Sequence, residues 1–535
     1  MTTQSRTRWV LAALGLVAAL TLSAPAAAQL DAFHAQFWSQ GSFGFLVPED
    51  SDNFGRALAV GDFDGDGFAD LAIGSPGEDV AVGIGTEVDN AGVVTILYGT
   101  ADGLSDVGAQ LYRQGGAGLA GAAEEGDFWG YALAAGDFDG DGFDDLAVGA
   151  PLHDRSNQPD TGEVEVIYGS ASGLTTTGSE SWDYFYFHAF TTEFYIGWAL
   201  TAGDFNDDGY DELAVGMPGA MNQGGSGTCE TGAVLVFDGS ASGLVVPGGP
   251  AHYWDPEQDL DLPVHCSEDF GSALAAGDLD RDGYEDLVVG SPGWSWGEPL
   301  NPHAGAVHVI HGSASGLTAT GDRLAYGTYA DDHFGSAVAV GNPAWEPITD
   351  PREVLVGAPG VDVGDMVDAG AIRVLALSDT NFNWDESPWF DQNTVGVEDS
   401  AEESDSFGAS LAVGKFDSDG VDDVAIGVPA EDYLETNAGL VEVLHGASGG
   451  LSTVGDQYWS QASSGVPDDQ ETGDQFGRAL AAGDFNGDGR SDLAVGIPYE
   501  PLGGFSQGGV MVLYAQRPGL IFADDFERGS TLNWD

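Results

Sequence analysis

Short apolar runs bounded by glycine recur along the chain and alternate with polar turns. In the first unit, Ala57 to Val60 precedes an acidic stretch from Asp62 to Asp70, and Leu71 to Gly74 follows it. A third apolar run covers Gly92 to Gly99, and a fourth lies near Gln110 to Gln114. None of these runs shows the 3.6-residue period of a helix. The pattern therefore predicts four short β-strands per unit.

The same unit returns seven times, at intervals of 64 to 75 residues. Each copy opens with a glycine that follows an aromatic or other apolar residue: Gly55, Gly130, Gly197, Gly271, Gly335, Gly408 and Gly477. A unit of this size cannot bury a core alone, so the copies are expected to stack on one another. Four-stranded units repeated radially form a β-propeller. The sequence thus predicts an all-β protein, a seven-bladed β-propeller with four-stranded blades.

The two ends of the chain are predicted to meet in one blade. The seventh unit supplies three strands, the last near Val510 to Tyr514, and no fourth follows. Residues 36–40 read QFWSQ and match QYWSQ at 457–461, the outer strand of the sixth unit. We therefore expect residues 36–40 to complete blade seven, which would leave no long open sheet edge.

The acidic stretches have the spacing D-x-[DN]-x-D-G-x-x-[DE], which suits calcium. This hard cation takes six to eight oxygen ligands, and a glycine at position six permits the sharp turn. Five units carry the full pattern, with position seven offering a backbone carbonyl. The expected ligands are Asp62, Asp64, Asp66, Phe68 and Asp70; Asp137, Asp139, Asp141, Phe143 and Asp145; Asp204, Asn206, Asp208, Tyr210 and Glu212; Asp278, Asp280, Asp282, Tyr284 and Asp286; and Asp484, Asn486, Asp488, Arg490 and Asp492.

The alternative for these stretches is an acidic turn that holds no ion. Several carboxylates within nine residues would repel one another without a cation, so we expect about five calcium ions. An EF-hand is excluded because it needs flanking helices and a glutamate at position twelve.

Two units depart from the pattern. In the sixth, Lys415 replaces the first aspartate, ahead of Asp417, Asp419 and Asp423. We hypothesise that its ammonium takes over the charge of the ion, which leaves this loop free of calcium. In the fifth unit, residues 341–346 read GNPAWE and lack the acidic triad, so no ion is expected there.

A G-x-P element follows the second strand of every unit. It reads GAP at 149–151 and 357–359, with GSP, GMP, GVP or GIP elsewhere. Together with the opening aromatic–glycine pair, these units resemble the FG-GAP repeats of the integrin alpha-chain propeller, over residues 36–516. The resemblance is closest to free-standing bacterial relatives, because the later integrin domains are lacking. It implies a propeller domain over residues 29–516 that acts as an adhesion or ligand-binding module for a protein or glycan at the cell surface.

In the resembling family the calcium loops lie on the lower face, and the loops joining strands two to three and four to one lie on the upper face. Cys229 and Cys266 fall in two such upper-face loops, so the resemblance implies a disulfide between them. Trp294 and Trp296 also fall in an upper-face loop and are candidate ligand contacts, since exposed aromatic rings often stack on sugars or anchor protein partners.

Charge and the N-terminus limit the partners and the location. The formal net charge is −73, which excludes nucleic acid as a partner, because nucleic-acid binding needs a basic footprint. Residues 1–28 read as a signal peptide, with Arg6 and Arg8 before the apolar run Trp9 to Leu22 and small residues at the cleavage site. That run is shorter than the ~20 residues that span a bilayer. An exported protein without membrane insertion is expected.

Catalysis has little support in the sequence. One G-x-S-x-G motif, at 446–450, aligns with a turn of another unit and lacks the strand–turn–helix context of a nucleophile elbow. We therefore expect a protein that is not an enzyme. The alternatives kept open are a secreted polysaccharide lyase or hydrolase on a propeller scaffold, and a purely structural surface component. Residues 517–535 form a tail that resembles a short sorting or processing motif of exported bacterial proteins, and a disordered end is the alternative.

Overall fold

The computed structural model describes most of the chain beyond residue 28. The described residues are 29–44, 48–83, 86–116, 118–155, 158–183, 194–221, 230–245, 253–256, 260, 268–295, 301–343, 353–377, 382, 387–397, 399–447 and 449–515. The predicted signal peptide, Cys229, Cys266, Trp296 and the tail at 517–535 lie outside these residues.

Seven four-stranded antiparallel sheets make up the described part of the chain. From the innermost strand outward, blades one to four are Ala57–Gly61, Asp70–Ser75, Val93–Tyr98 and Ser105–Tyr112; Ala132–Gly136, Asp145–Ala150, Glu163–Tyr168 and Thr175–Asp183; Leu200–Gly203, Glu212–Met217, Ala233–Phe237 and Tyr253–Trp254; and Ala273–Gly277, Asp286–Ser291, Ala306–His311 and Thr318–Tyr326. Blades five to seven are Ala337–Gly341, Glu353–Ala358, Ala371–Ala376 and Trp389–Phe390; Ser410–Gly414, Asp423–Val428, Leu440–His445 and Ser452–Trp459; and Ala479–Gly483, Asp492–Ile497, Gly509–Ala515 and Leu30–Trp38.

The innermost strands close a ring. Each contacts the innermost strand of the next blade, and that of blade seven contacts that of blade one. The fold is therefore a seven-bladed β-propeller, and the prediction from the repeat is confirmed. Within a blade, the loops between strands one and two and between strands three and four lie at one end of the ring. The remaining loops lie at the other end. The end with the acidic loops is termed the lower face, and the opposite end the upper face.

The N-terminal strand, Leu30–Trp38, is the outer strand of blade seven. It pairs antiparallel with Gly509–Ala515, with Gln36 opposite Val512 and Trp38 opposite Val510. The strand begins earlier than residue 36 and ends at Trp38. Ser39 and Gln40 fall outside it, because a 3-10 turn over Gln40–Ser42 bends the chain away. Two short hairpins, Val80–Gly83 with Thr86–Val88 and Pro501–Leu502 with Phe505–Ser506, extend upper-face loops.

The hydrophobic core lies between neighbouring blades. Phe63, at position two of the first acidic loop, is fully buried and packs in one cluster with Trp129 and Val148 of blade two. The equivalent residues Phe138, Phe205, Phe416 and Phe485 are also fully buried. The acidic loops are thus anchored to the core by an apolar side chain directly after their first position.

Glycines make the closest approach between blades. A Cβ atom on Gly74, in the G-x-P element of blade one, would lie 2.1 Å from the carbonyl oxygen of Gly130, the opening glycine of blade two. The same contact recurs at all seven blade junctions, with distances of 2.0 to 2.2 Å. Any side chain at the G-x-P glycine would therefore push two blades apart.

We expect Gly290→Ala to destabilise the protein by about 2 kcal/mol or more, because its Cβ would lie 2.1 Å from the carbonyl oxygen of Gly335. Gly290 has no positive φ, so the loss would come from the contact alone. Urea-induced unfolding measures the change. Gly83→Ala is the matched control, since a Cβ there meets nothing within 4 Å. Equal unfolding midpoints for both variants would contradict this account of the blade spacing.

Candidate metal centres

The acidic loops are folded by their own carboxylates. In blade one, Asp62 accepts hydrogen bonds from the backbone N–H groups of Asp66, at 3.1 Å, and Gly67, at 3.0 Å. Asp64 accepts a further bond from the N–H of Asp66, at 3.1 Å. Gly67 has a φ of 90°, a conformation that favours glycine. The glycine at position six is therefore required by the turn itself.

The carboxylate at position nine ties the loop to the body of the blade. Asp70 is fully buried and accepts hydrogen bonds from the N–H groups of Phe63, at 2.9 Å, and Gly99, at 2.8 Å. Burial, helped by the charges of Asp64 and Asp62, raises the pKa of Asp70 to about 8. Burial likewise raises the pKa of three equivalent residues to about 8: Asp145, Glu212 and Asp492.

Carboxylate oxygens converge in three of the loops. Within each of three groups, one oxygen per residue lies within 4.8 Å of the others: Asp62, Asp64 and Asp66; Asp137, Asp139 and Asp145; and Asp278, Asp280 and Asp282. Burial and neighbouring carboxylates raise the pKa of Asp64, Asp139 and Asp280. The donors are all oxygen atoms, and the buried Oδ1 of Asp278 has no hydrogen-bond partner. This donor set fits a hard divalent cation.

The two loops with asparagine at position three differ in detail. The side-chain nitrogen of Asn206 donates to Oε1 of Glu212, at 2.6 Å, and that of Asn486 donates to Oδ1 of Asp492, at 3.2 Å. In this arrangement the amide nitrogen, and not the oxygen, points to the position-nine carboxylate. The amide must rotate before its oxygen can bind a cation.

Hydrogen bonds also link each loop to the next around the ring. The carboxylate of Asp144 accepts a bond from the N–H of Asp62, at 2.8 Å, and Asp211 accepts one from Asp137, at 3.0 Å. In the same way, the hydroxyl oxygen of Ser491 accepts a bond from the N–H of Lys415, at 3.1 Å. These residues occupy position eight, which sequence analysis passed over. The signal was an acidic or hydroxyl residue next to the position-nine acid in most units.

The sixth loop corrects the hypothesis about Lys415. The Lys415 side chain is exposed, and among the described residues it forms no ion pair. His445 lies over the loop instead, with Nδ1 3.4 Å from Oδ1 of Asp423 and 3.8 Å from Oδ2 of Asp417. The exposed ammonium of Lys415 therefore does not take the place of an ion within the loop. His445 comes from the third strand and was missed, because 28 residues separate it from Asp417.

A second set of buried acids lies near the upper face, which the sequence analysis also missed. In blade one, Asp52 and Glu78 are 1% and 6% exposed, and Nε2 of Gln40 donates to Oε2 of Glu78 at 2.6 Å. The same trio recurs as Asp405, Glu431 and Gln392, and as Asp474, Glu500 and Gln461. The available signal was an acid two residues before the opening phenylalanine and a glutamate two residues after the proline of G-x-P.

These acid pairs hold protons at neutral pH. Burial, with the charge of Asp52, raises the pKa of Glu78 to about 8, and burial with neighbouring acids raises that of Glu431 and of Glu500 to about 9. In blade two, a histidine replaces the glutamate: Nδ1 of His153 lies 3.2 Å from Asp127. Each site thus avoids two negative charges side by side, either by a shared proton or by an imidazolium.

Stability is expected to fall as the pH rises from about 5 to about 9. In that window the unfolded chain has lost the Glu500 proton, whose ordinary pKa is 4.5, while the folded chain still holds it up to about 9. Asp468, Asp474 and Glu471 face Glu500 and add to the effect. Glu500→Gln removes this proton and should lessen the loss between pH 6 and pH 9 by on the order of 1–2 kcal/mol.

Urea unfolding at several pH values, with calcium held constant, measures this slope. Glu87→Gln is the control, because Glu87 is exposed. Parallel stability curves for the wild type and the Glu500→Gln variant would show that the buried acid has no part in the pH dependence.

Trp294 does not offer an exposed ring. It is 3% exposed, and its ring packs edge-on against His308 with centroids 5.6 Å apart. The tryptophan folds inward because the core between blades accepts its large apolar surface. The expectation of a ligand contact at Trp294 is therefore wrong. The exposed aromatic residues of the described upper-face loops are Tyr329, Tyr499 and Phe505.

A basic and aromatic cluster lies at the upper mouth of the central channel. The residue after each opening glycine lies just before the innermost strand, at the end opposite the acidic loop. In blades seven, one, two and three these residues are Arg478, Arg56, Tyr131 and Trp198. Nη2 of Arg56 donates to the Tyr131 hydroxyl at 3.1 Å, and the guanidinium carbon lies 4.7 Å from the ring centroid. The Tyr131 and Trp198 centroids are 5.0 Å apart. We term these four residues the mouth cluster.

Arg478 shares this environment. Burial, together with the nearby charge of Arg56, lowers the pKa of Arg478. Among the described residues, neither arginine forms an ion pair with a carboxylate. Two adjacent guanidinium groups without carboxylate partners stand out in a chain with 87 acidic and 14 basic residues.

No helix in the described ranges has the length and apolar character needed to cross a bilayer.

The fold and the loops together define the class of protein. It is a seven-bladed β-propeller with carboxylate-rich loops on its lower face. The FG-GAP repeat matches six segments of the chain: 54–97, 129–167, 196–237, 270–310, 407–444 and 476–513. The protein is thus built from FG-GAP repeats, and the matched segments are blades one to four, six and seven. Blade five, whose first loop lacks the acidic triad, lies between two of them.

Curated relatives include integrin alpha chains. The chain is 32% identical to integrin alpha-PS2 of Drosophila melanogaster over 245 residues, which are 45% of this chain and 15% of that protein. It is 31% identical to integrin alpha-5 of Xenopus laevis over 258 residues, 46% of this chain and 20% of that protein. It is also 35% identical over 161 residues to phosphatidylinositol-glycan-specific phospholipase D of Bos taurus, 28% of this chain and 17% of the relative. The similarity therefore covers a small part of each relative.

Proposed function

We propose that this protein is an exported, calcium-loaded propeller that binds a protein or glycan ligand at a cell surface, as an adhesion or ligand-binding module. The mouth cluster carries the proposal. It combines aromatic faces with guanidinium groups at the centre of the upper face, where loops from every blade converge. Aromatic and arginine side chains are the residues that dominate binding energy at interfaces, and aromatic rings also stack on sugars.

Similarity to integrin alpha chains supports the same class of function, although the shared region is only 15% of integrin alpha-PS2. Export rests on residues 1–28 as a signal peptide, and the propeller domain would then cover residues 29–516. Cys229 and Cys266 are proposed to form a disulfide.

Calcium is proposed to bind in the five complete loops, through the carboxylates at positions one, three, five and nine and the carbonyl at position seven. Bound calcium would cancel the repulsion between the gathered carboxylates and fix the lower ends of the blades. Its part is structural, because the mouth cluster lies at the other end of the innermost strands. In this proposal the ion supports the shape of the ligand-binding face and does not contact the ligand.

The second candidate is an enzyme, favoured by the similarity to a phospholipase D over 161 residues. The matched part is 17% of that protein, and the described residues of the G-x-S-x-G motif lie in a turn after the third strand of blade six. A polysaccharide lyase or hydrolase would bind glycans in the same assays but would also release products. Product analysis on any bound glycan therefore separates the two candidates, and a purely structural component would bind none.

The full chain is expected to bind about five calcium ions and to lose stability on chelation. At a calcium concentration ten times the dissociation constant, each site contributes about 1.4 kcal/mol, so five contribute about 7 kcal/mol. Equilibrium dialysis with elemental analysis gives the count, and thermal unfolding with and without chelator gives the shift. Asp139→Asn should remove one ion, whereas Asp106→Asn, on an exposed strand, should remove none. No bound calcium, or no shift on chelation, would refute this part of the proposal.

Substitutions in the mouth cluster should abolish ligand binding without unfolding the propeller. Trp198→Ala and Arg56→Gln should each reduce binding at least about tenfold, because each removes a ring face or a charge-assisted contact. Binding is measured on a glycan array and to intact cells, with thermal unfolding recorded in parallel.

Tyr329→Ala is the matched control, since Tyr329 is an exposed upper-face aromatic outside the cluster. Undiminished binding by both cluster variants, or no binding by the wild type to any glycan or cell, would overturn the proposed function.

A further inference from the structure

Blade six contains a buried triad of potential metal ligands, two aspartates and a histidine, in a loop that lacks the first aspartate of the pattern. Asp417, Asp423 and His445 are 8%, 0% and 5% exposed. One ligand atom from each lies within 4.8 Å of the other two. The imidazole Nδ1 lies 3.4 Å from Oδ1 of Asp423 and 3.8 Å from Oδ2 of Asp417. Two carboxylates and one nitrogen thus point to a common centre.

The loop of blade six lacks the first aspartate of the pattern. In blade one, Asp62 binds the N–H groups at positions five and six of its loop. Lys415 stands at that position in blade six and extends outward. Asp417 turns inward: its Oδ1 accepts from the N–H of Asp419 at 2.7 Å, and its own N–H donates to Asp423 at 3.1 Å. The other carboxylate oxygen of Asp417, Oδ2, faces His445.

The position of His445 carries tyrosine in three other blades and a histidine, His311, in blade four. It is the last residue of the third strand, and blades one, two and seven carry Tyr98, Tyr168 and Tyr514 there. The Tyr98 hydroxyl accepts the N–H of Leu174, at 3.2 Å, and so bonds across to the neighbouring blade. His445, in contrast, presents a ring nitrogen to its own acidic loop.

The Nδ1 atom of His445 is buried and has no hydrogen-bond partner among the described residues. Nδ1 lies within ion-pairing distance of Asp423 and Asp417, and the other ring nitrogen, Nε2, lies 3.4 Å from Nε2 of Gln29. A buried polar nitrogen without a hydrogen-bond partner lowers the stability of the folded state, and such atoms often mark the place of an ion or water. This atom is the second observation, beside the two acids, that points to a bound ligand.

We propose that Asp417, Asp423 and His445 bind a divalent transition-metal ion, with zinc as the best fit. Zinc accepts imidazole nitrogen and carboxylate oxygen as ligands, and three protein ligands leave one position for water. Calcium is disfavoured because it prefers six to eight oxygen ligands. The N–H of Gly446 donates to Oδ1 of Asp423, at 2.8 Å, and fixes the orientation of that ligand.

The metal ion would join the third strand to the first loop of blade six. In the five complete loops, calcium is proposed to hold the loop together. Blade six lacks that site, and zinc would supply an equivalent cross-link with different ligand chemistry. The inference is independent of the calcium proposal, since none of these three residues belongs to a complete loop.

Metal retention by the full chain tests the inference. The protein is dialysed against zinc in a large excess of calcium, then against calcium alone, and bound zinc is measured by elemental analysis. We expect one zinc ion per chain. Replacing zinc with cobalt should give visible ligand-field absorption that includes a nitrogen ligand. His445→Tyr should lower zinc affinity at least about tenfold and remove the cobalt absorption, and it should fold, because tyrosine stands at this position in three other blades.

His311→Tyr is the matched control. His311 occupies the same position in blade four, beside the complete loop with Asp280 and Asp286, so calcium should already fill that site. His303→Ala is a second control, because His303 and His333 stack at the surface near Asp331 and form a competing adventitious site. Neither control should change zinc retention.

Asp417→Asn gives an independent second variant, and it should lose zinc as His445→Tyr does. The inference is overturned if no zinc is retained in excess calcium, if both blade-six variants retain it, or if either control variant loses it. Retention of zinc by a chain that binds no calcium would support the inference while refuting the calcium proposal.

Discussion

The close approach of two glycine backbones between successive blades is the constraint on which the ring depends. The G-x-P glycine of one blade lies so near the opening glycine of the next that a single methyl group would not fit. Because this contact recurs at every junction, including that of Gly496 with Gly55, it sets one spacing for all seven blades. The innermost strands can then converge on the channel, and the large core residues fill the space between blades further out.

The two ends of the innermost strands have opposite chemistry as a result. At the lower end, the innermost strand of every blade except blade five leads directly into an acidic loop. In blade one, the buried Phe63 anchors this loop and the side chain of Asp144 links it to the next loop. At the upper end, each strand begins beside the glycine contact, so the residues that follow the opening glycines are gathered around the channel mouth. Arg56, Tyr131 and Trp198 come together there although they belong to three different blades.

Differences between the repeats carry the chemistry of individual blades. A shared frame holds the third strand above the first loop, so one substitution in either place changes the ligands available to an ion. In blade six, Lys415 replaces the first aspartate, and His445 places a ring nitrogen beside Asp417 and Asp423. His153 beside Asp127 is a similar exchange at the upper end, where other blades place a protonated glutamate. The fold is constant because the glycine contacts and buried phenylalanines are repeated, while the loops vary.

Much of the fold was determined by the sequence alone, because its signals are local and repeated. The four-stranded unit, the number of blades and the positions of the five complete acidic loops follow from residues that are near one another along the chain. The extent of the closing strand, Leu30–Trp38 where 36–40 was predicted, does not. The tertiary structure decided the rest, because it depends on contacts between distant residues. Trp294 is buried against His308, Lys415 extends outward while His445 fills the loop, and Asp52 pairs with Glu78 across two loops. No local pattern contains those partners, since their distance in space is set by strand pairing and blade packing.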